Sequence, residues 1–168
     1  MMFWCTSFLL VFFGANPILA IDNLRVVYQW NQLSYNYETE SDKFAALDSG
    51  AYIPANNVPM GIEVVGRRIF ITIPRWKRGV PASLAYISHT GEVNSPTLKP
   101  YPNWEAHQSE NDSAIPEIVS PFRLRADRCG HLWVLDSGMA NILEPEYQNS
   151  VPPSIIVFDL NDDSIVRR

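Results

Sequence analysis

The sequence predicts an all-β fold. Three observations predict it: short runs rich in Val, Ile, Phe, Tyr and Trp, bounded mostly by Gly, Pro, Asn or Asp; 13 prolines scattered along the chain with no long helical period; and one hairpin pattern that occurs twice. The pattern is an apolar run, a tight Gly-containing turn and a second apolar run, as in "GIEVVGRRIFITIPR" and again in "FRLRADRCGHLWVLDSG". Phe70 and Trp133 fall at matching places in the two copies.

Taken in order, the predicted strands are residues 24–30, 61–65, 68–73, 83–88, 121–126, 131–136 and 154–160. Some alternate and suit a half-buried sheet. Others are continuously apolar and suit strands buried on both faces. Each hairpin is followed by a Pro-containing loop and a third strand ending in a polar turn, "SLAYISHTGE" and then "SIIVFDLNDD". "TLKPYP" supplies a fourth strand in the first copy, and "SIVRR" begins one in the second. Two copies of a four-stranded meander point to β-propeller blades; an antiparallel sandwich of similar hairpins is the alternative. A propeller closes with about four to eight blades. Two blades therefore read as part of a longer protein, with residues 24–30 completing a blade absent here.

Residues 1–20, "MMFWCTSFLLVFFGANPILA", contain no charge. Their apolar run has the length of a signal-peptide core and is too short to span a bilayer, and Ala20 offers a small residue for cleavage. The lack of Lys or Arg ahead of that run departs from the signal-peptide pattern, and a buried N-terminal helix or an uncleaved anchor is the competing reading. The reading adopted is a signal peptide over 1–20 and one domain over 21–168, secreted and with no membrane segment after cleavage. The net charge of −5 argues against a nucleic-acid partner. The 46% hydrophobic content is ample for a core and excludes a disordered secretory peptide.

Several segments together carry a family resemblance: "VVYQWNQLSYNY", "YIPANNVPMGIEVVGRRIFITIPRWKRGVPASLAYIS", "PFRLRADRCGHLWVLDSG" and "PPSIIVFDLNDDSIVRR". They resemble the insect Yellow and major royal jelly protein family from about Leu24 to Arg168. The resemblance implies a secreted six-bladed propeller of which this chain holds roughly the first third. Some members convert dopachrome in the melanin pathway, others hold biogenic amines without turnover, and others are structural or nutritive. It thus implies a pigmentation-related protein with a small aromatic amine or catechol-derived ligand and no cofactor, and it leaves catalysis open. It also implies a bridge from the cysteine before "LWVLDSG" to a position that here is Val151. Cys129 is then a free thiol, a thiol with a partner elsewhere, or a small buried hydrophobe beside a strand.

In a propeller, the loops between second and third strands and those between blades share one face. Residues 55–59, 75–81, 101–118 and 137–153 would meet there, forming an acidic mouth edged with aromatic residues that suits a cationic or aromatic ligand. Plain solvated loops are the alternative. Arg75 and Trp76 in "RWKRG" suit a carboxylate or a catechol-derived quinone, or else pack structurally, with Trp76 wedged between blades. Asp136 in "LDSG" is either a ligand carboxylate or a turn residue capping backbone N–H groups. Of His89, His107 and His131, only His107 lies in the long acidic loop and is a candidate proton carrier. No metal-ligand spacing or phosphate loop occurs, so no metal is expected. Asn111 begins a glycosylation sequon, which would place a sugar on the ligand face.

Overall fold

A computed structural model describes residues 25–88, 93–108, 115–145, 148–149 and 151–168. The leader with Cys5, His89 and the sequon at Asn111 lie outside the described residues. The strand-rich runs pair as antiparallel meanders. In the first sheet β1 (Gly61–Val65) turns at Gly66 into β2 (Arg68–Thr72), which pairs with β3 (Leu84–Ser88) and then β4 (Lys99–Pro100), in the order β1-β2-β3-β4. Gly66 has φ 58°, a left-handed turn conformation that a Cβ disfavours. The second sheet is built from β5 (Pro121–Ala126) and β6 (His131–Asp136), then β9 (Ser154–Asp159) and β10 (Ile165–Arg167), ordered β5-β6-β9-β10. A small hairpin, β7 (Met139–Ala140) with β8 (Gln148–Asn149), fills the connection between β6 and β9.

Two elements differ from the sequence reading. Residues 24–30 do not form a strand: their described part makes a single parallel bridge, Gln29 with Asn94, and a second parallel bridge joins Tyr35 to Leu98. This segment lies beside the outer edge of the first sheet, and its apolar side chains pack on the sheet face instead of extending the ladder. The second difference is a helix, α1 (Glu40–Ser49), which no apolar period announces because none of its residues is buried. Its ends define it. Thr39 and Asp42 form a reciprocal capping box, and Gly50 closes it in the left-handed conformation at φ 75°.

The layers stack in chain order. On one face of the first sheet, Ile71, Ile73, Ala85 and Ile87 pack against Leu33, Tyr35 and Tyr52 of the preceding segment. On its other face, Phe70 and Leu84 pack against Leu132, Val134, Ile156 and Phe158 of the second sheet. Among the described residues no further layer covers the far face of the second sheet, so Trp133, Leu135 and Ile155 are exposed. The sheets approach most closely where β1 meets β5. A Cβ on Gly61 would stand 2.7 Å from the Phe122 carbonyl oxygen and 2.9 Å from Leu124 Cδ2. The Thr72 hydroxyl sits at this seam, accepting from Gly61 N–H at 2.8 Å and donating to Phe122 O at 3.0 Å. At the opposite end Arg68 clamps the layers together. It donates to both carboxylate oxygens of Asp163 at 2.7 and 2.9 Å and to Leu160 O, while lying over Phe70, Tyr86 and Tyr101. Among the described residues no helix is long and apolar enough to cross a membrane.

Candidate functional site

The loops at one end of the two sheets converge on Arg75. Its Nε donates to Val80 O at 3.1 Å, Nη1 to Ile118 O and Val119 O at 3.1 and 3.0 Å, and Nη2 to Pro81 O and His107 O at 3.3 and 2.8 Å. Its backbone N–H donates to the Ser120 hydroxyl, and its carbonyl accepts from Asn141 N–H. One side chain thereby ties residues 75–81 to His107, Ile118 and Val119, and its backbone reaches Ser120 and Asn141. Asn56 and Asn57 bring in the fourth loop by donating to Arg78 O and Gly79 O. All five guanidinium N–H groups end on carbonyls, and among the described residues no carboxylate touches them. Burial lowers the Arg75 pKa to about 10, against the opposing influence of Tyr35 and Asp136, so the group remains a cation at neutral pH.

Asp136 holds the same segment from its other side. It is fully buried at the end of β6, and its oxygens accept from Val119, Ser120 and Gly138 N–H at 2.8, 2.8 and 2.9 Å. Ile118 and Val119 are thus gripped at their carbonyls by a cation, and Val119 and Ser120 at their N–H groups by an anion. His107 is also buried. Its Nε2–H donates to Tyr101 O at 2.9 Å, which leaves Nδ1 to accept from Ser83 N–H at 3.4 Å. Burial and the nearby Arg75 charge lower its pKa to about 3, so the ring is neutral and both nitrogens are engaged.

Beside this hub is a cavity of about 650 Å³ between α1, the segment before it and the loop at 104–108. Tyr37 and Trp104 form an aromatic wall, stacked with ring centroids 4.8 Å apart. The Tyr37 hydroxyl is buried without a hydrogen-bond partner among the described residues. Burial, followed by Tyr52, raises its pKa to about 12, so it is an O–H donor. Glu38, Asp42 and Glu105 bring three carboxylates to the lining, against the single cation of Arg75. One Asp42 oxygen serves the Thr39 cap, while Glu38 and Glu105 have no ion-pair partner among the described residues. This arrangement suits a flat ring against the aromatic wall with a positive group toward the carboxylates.

Arg75 and His107 therefore both line the cavity, whereas Asp136 and Trp76 do not. Trp76 is half-buried, with its ring 6.1 Å from that of Phe122 in β5, where it joins the first sheet's loop to the second sheet. Lys77 and Arg78 are exposed. Tyr37, Glu38 and Asp42 were not expected at the site from the sequence. The available signal was the aromatic-acidic run "YNYETESD", whose Thr39-x-x-Asp42 spacing marks a helix start. Among the described residues no cluster of His, Cys, Asp or Glu could hold a metal ion.

Cys129 is unpaired, as the Val at position 151 requires, and the two positions lie too far apart for the bridge that the family resemblance implied. Val151 abuts Gly138, to whose carbonyl it donates at 3.1 Å, past one end of β6; Cys129 lies in the turn before the other end. Six strand residues separate these ends, a span of about 20 Å, whereas a disulfide joins α-carbons less than about 7 Å apart. Nor is Cys129 a buried hydrophobe: it is an exposed free thiol whose N–H donates to Asp127.

A family model described as "Major royal jelly protein" matches residues 119–168. The chain is 40% identical over 145 residues to a Drosophila melanogaster protein named "Dopaminechrome tautomerase", covering 86% of this chain and 31% of that protein. It is 42% identical over 154 residues to "Protein yellow" of Drosophila subobscura, covering 91% and 27%, and 41% identical over 153 residues to "Protein yellow" of Drosophila guanche, covering 90% and 26%. The chain spans less than a third of the length of these relatives.

Proposed function

Because the chain belongs to the Yellow/major royal jelly protein family, we propose that it is part of a secreted β-propeller protein of pigment chemistry that takes a catechol-derived ring bearing an amine. The observation that carries this reading is the 40% identity to a dopaminechrome tautomerase across 86% of the chain. The cavity supports it chemically, offering carboxylates for the amine and the Tyr37–Trp104 wall for the ring. A tautomerase moves a proton between two atoms of its substrate, and so needs a base and an acid within reach. In this reading the carboxylates of Glu38, Asp42 and Glu105 are the candidate bases and the Tyr37 hydroxyl is the candidate donor. His107, with both nitrogens engaged, has a positioning role. The two meanders are successive blades, and the exposed face around Trp133 takes the next sheet of a longer chain. The leader directs secretion, and Asn111 carries a sugar.

Expression of the complete protein in insect cells tests each part. The expected outcomes are medium-borne protein with an N-terminus near Ile21, a mobility shift on glycosidase treatment, and accelerated loss of dopaminechrome absorbance. Calorimetric binding of dopamine with no such acceleration would make the protein a binder of aromatic amines. Neither turnover nor binding would leave a structural role.

A further inference from the structure

We propose that the cavity selects by charge on the side chain of its ring ligand, accepting a decarboxylated amine and turning away the α-carboxylated twin. This rests on the reading of the cavity as an amine site. Three carboxylates line it against one guanidinium, and His107 is neutral and adds no positive charge. A ligand ammonium gains from this balance. A ligand carboxylate beside that ammonium enters a field of its own sign.

Elsewhere an arginine would offset that repulsion by a two-pronged grip. Arg75 lines the cavity, but its five N–H groups are donated to the carbonyls of Val80, Pro81, His107, Ile118 and Val119. Turning it toward a ligand would strand those carbonyls and release the loops it holds. The His107 ring N–H is likewise donated to Tyr101 O. The wall therefore contains a cation that shapes the site without a free donor for an anion. The unpartnered Tyr37 hydroxyl remains to bond a neutral ring oxygen.

The test is calorimetry of the chain with dopamine and with L-dopa, which share a catechol ring and differ by the α-carboxylate. At about 50 mM salt, dopamine should bind roughly three- to tenfold more tightly, the range expected for exposed charges, and the gap should narrow at about 500 mM salt. In the double variant Glu38→Gln/Glu105→Gln, with circular dichroism unchanged, the preference should shrink toward parity because both carboxylates are solvent-facing and neither supports the fold. Equal affinities in the unmodified chain, or a preference untouched by the double variant, would overturn the selectivity and leave the amine site standing. Failure of both compounds to bind would overturn the selectivity and the amine site together.

Discussion

The two sheets share one strand pattern and differ in what lies against them. Phe70 in β2 and Trp133 in β6 occupy matching positions and point to the same side of their sheets. Phe70 is 0% exposed because the second sheet covers it; Trp133 is 42% exposed because no described layer follows. The contrast extends to β1, where Ile62 and Val64 are exposed on the side away from the second sheet, while Leu124 of β5 is buried against the first. An aromatic residue at this position therefore marks an interface whether or not the interface is filled. The repeat encodes a stacking surface, and the neighbour decides the burial.

The largest effect should come from truncating the two aromatics in parallel. Phe70→Ala should lower unfolding stability by about 3–5 kcal/mol, the cost of a cavity in a closed core, and Trp133→Ala by about 1 kcal/mol or less. Denaturant titration of both variants checks this, and equal losses would break the comparison. Next in size is Asp136→Ala, which leaves three buried N–H groups without their acceptor and should cost about 3 kcal/mol. If this loss is under about 1 kcal/mol, the grip on 118–120 is not what holds the loops.

Gly61→Ala probes the seam itself. Its Cβ meets backbone oxygen on the second sheet, and forcing the layers apart should cost about 1–3 kcal/mol. Gly66→Ala meets nothing within 4 Å and should cost only the left-handed backbone strain, about 1 kcal/mol. The pH response of His107 is spread over a range of pH instead of arriving with one substitution. Its folded pKa, about 3, lies below its ordinary value of 6.5, so the unfolded chain binds the proton first as pH falls. Stability attributable to this ring is present above pH 6.5 and should decline by up to about 1.4 kcal/mol per pH unit from there toward pH 3. Comparing urea midpoints at pH 7 and pH 5 in the parent and in His107→Gln isolates that slope.

The strands were legible because apolar runs between turn residues leave few alternatives. The fourfold order of each sheet followed from the repeat. The helix was not legible, because capping and not an apolar stripe defines α1. The N-terminal segment was misread as a strand because Val26, Val27 and Tyr28 have strand-like chemistry, yet Val26 and Val27 are exposed there and pair with nothing regular. At the site, sequence reasoning reached Arg75 and His107 through their loops. It missed Tyr37 and Glu38 because spatial adjacency between the first segment and the loop at 104–108 depends on packing across the whole first sheet. Cys129 was legible as an unpaired thiol because position 151 holds Val; its exposure was not, because that depends on its place in the turn before β6.

The parallel bridges of Gln29 to Asn94 and Tyr35 to Leu98 carry a consequence for the order of assembly. These residues have their seat in the segment just before β4, more than sixty positions later, and Tyr35 is 2% exposed only once that seat exists. During synthesis the segment must wait while β1, β2 and β3 form their local hairpins, since contacts so distant in sequence form late. Through that interval Leu33, Tyr35 and Tyr52 are uncovered and open to chaperones or to other nascent chains. Docking of this segment, which also completes the cavity wall with Tyr37, is then the step that closes the first sheet's face and forms the cavity in one event.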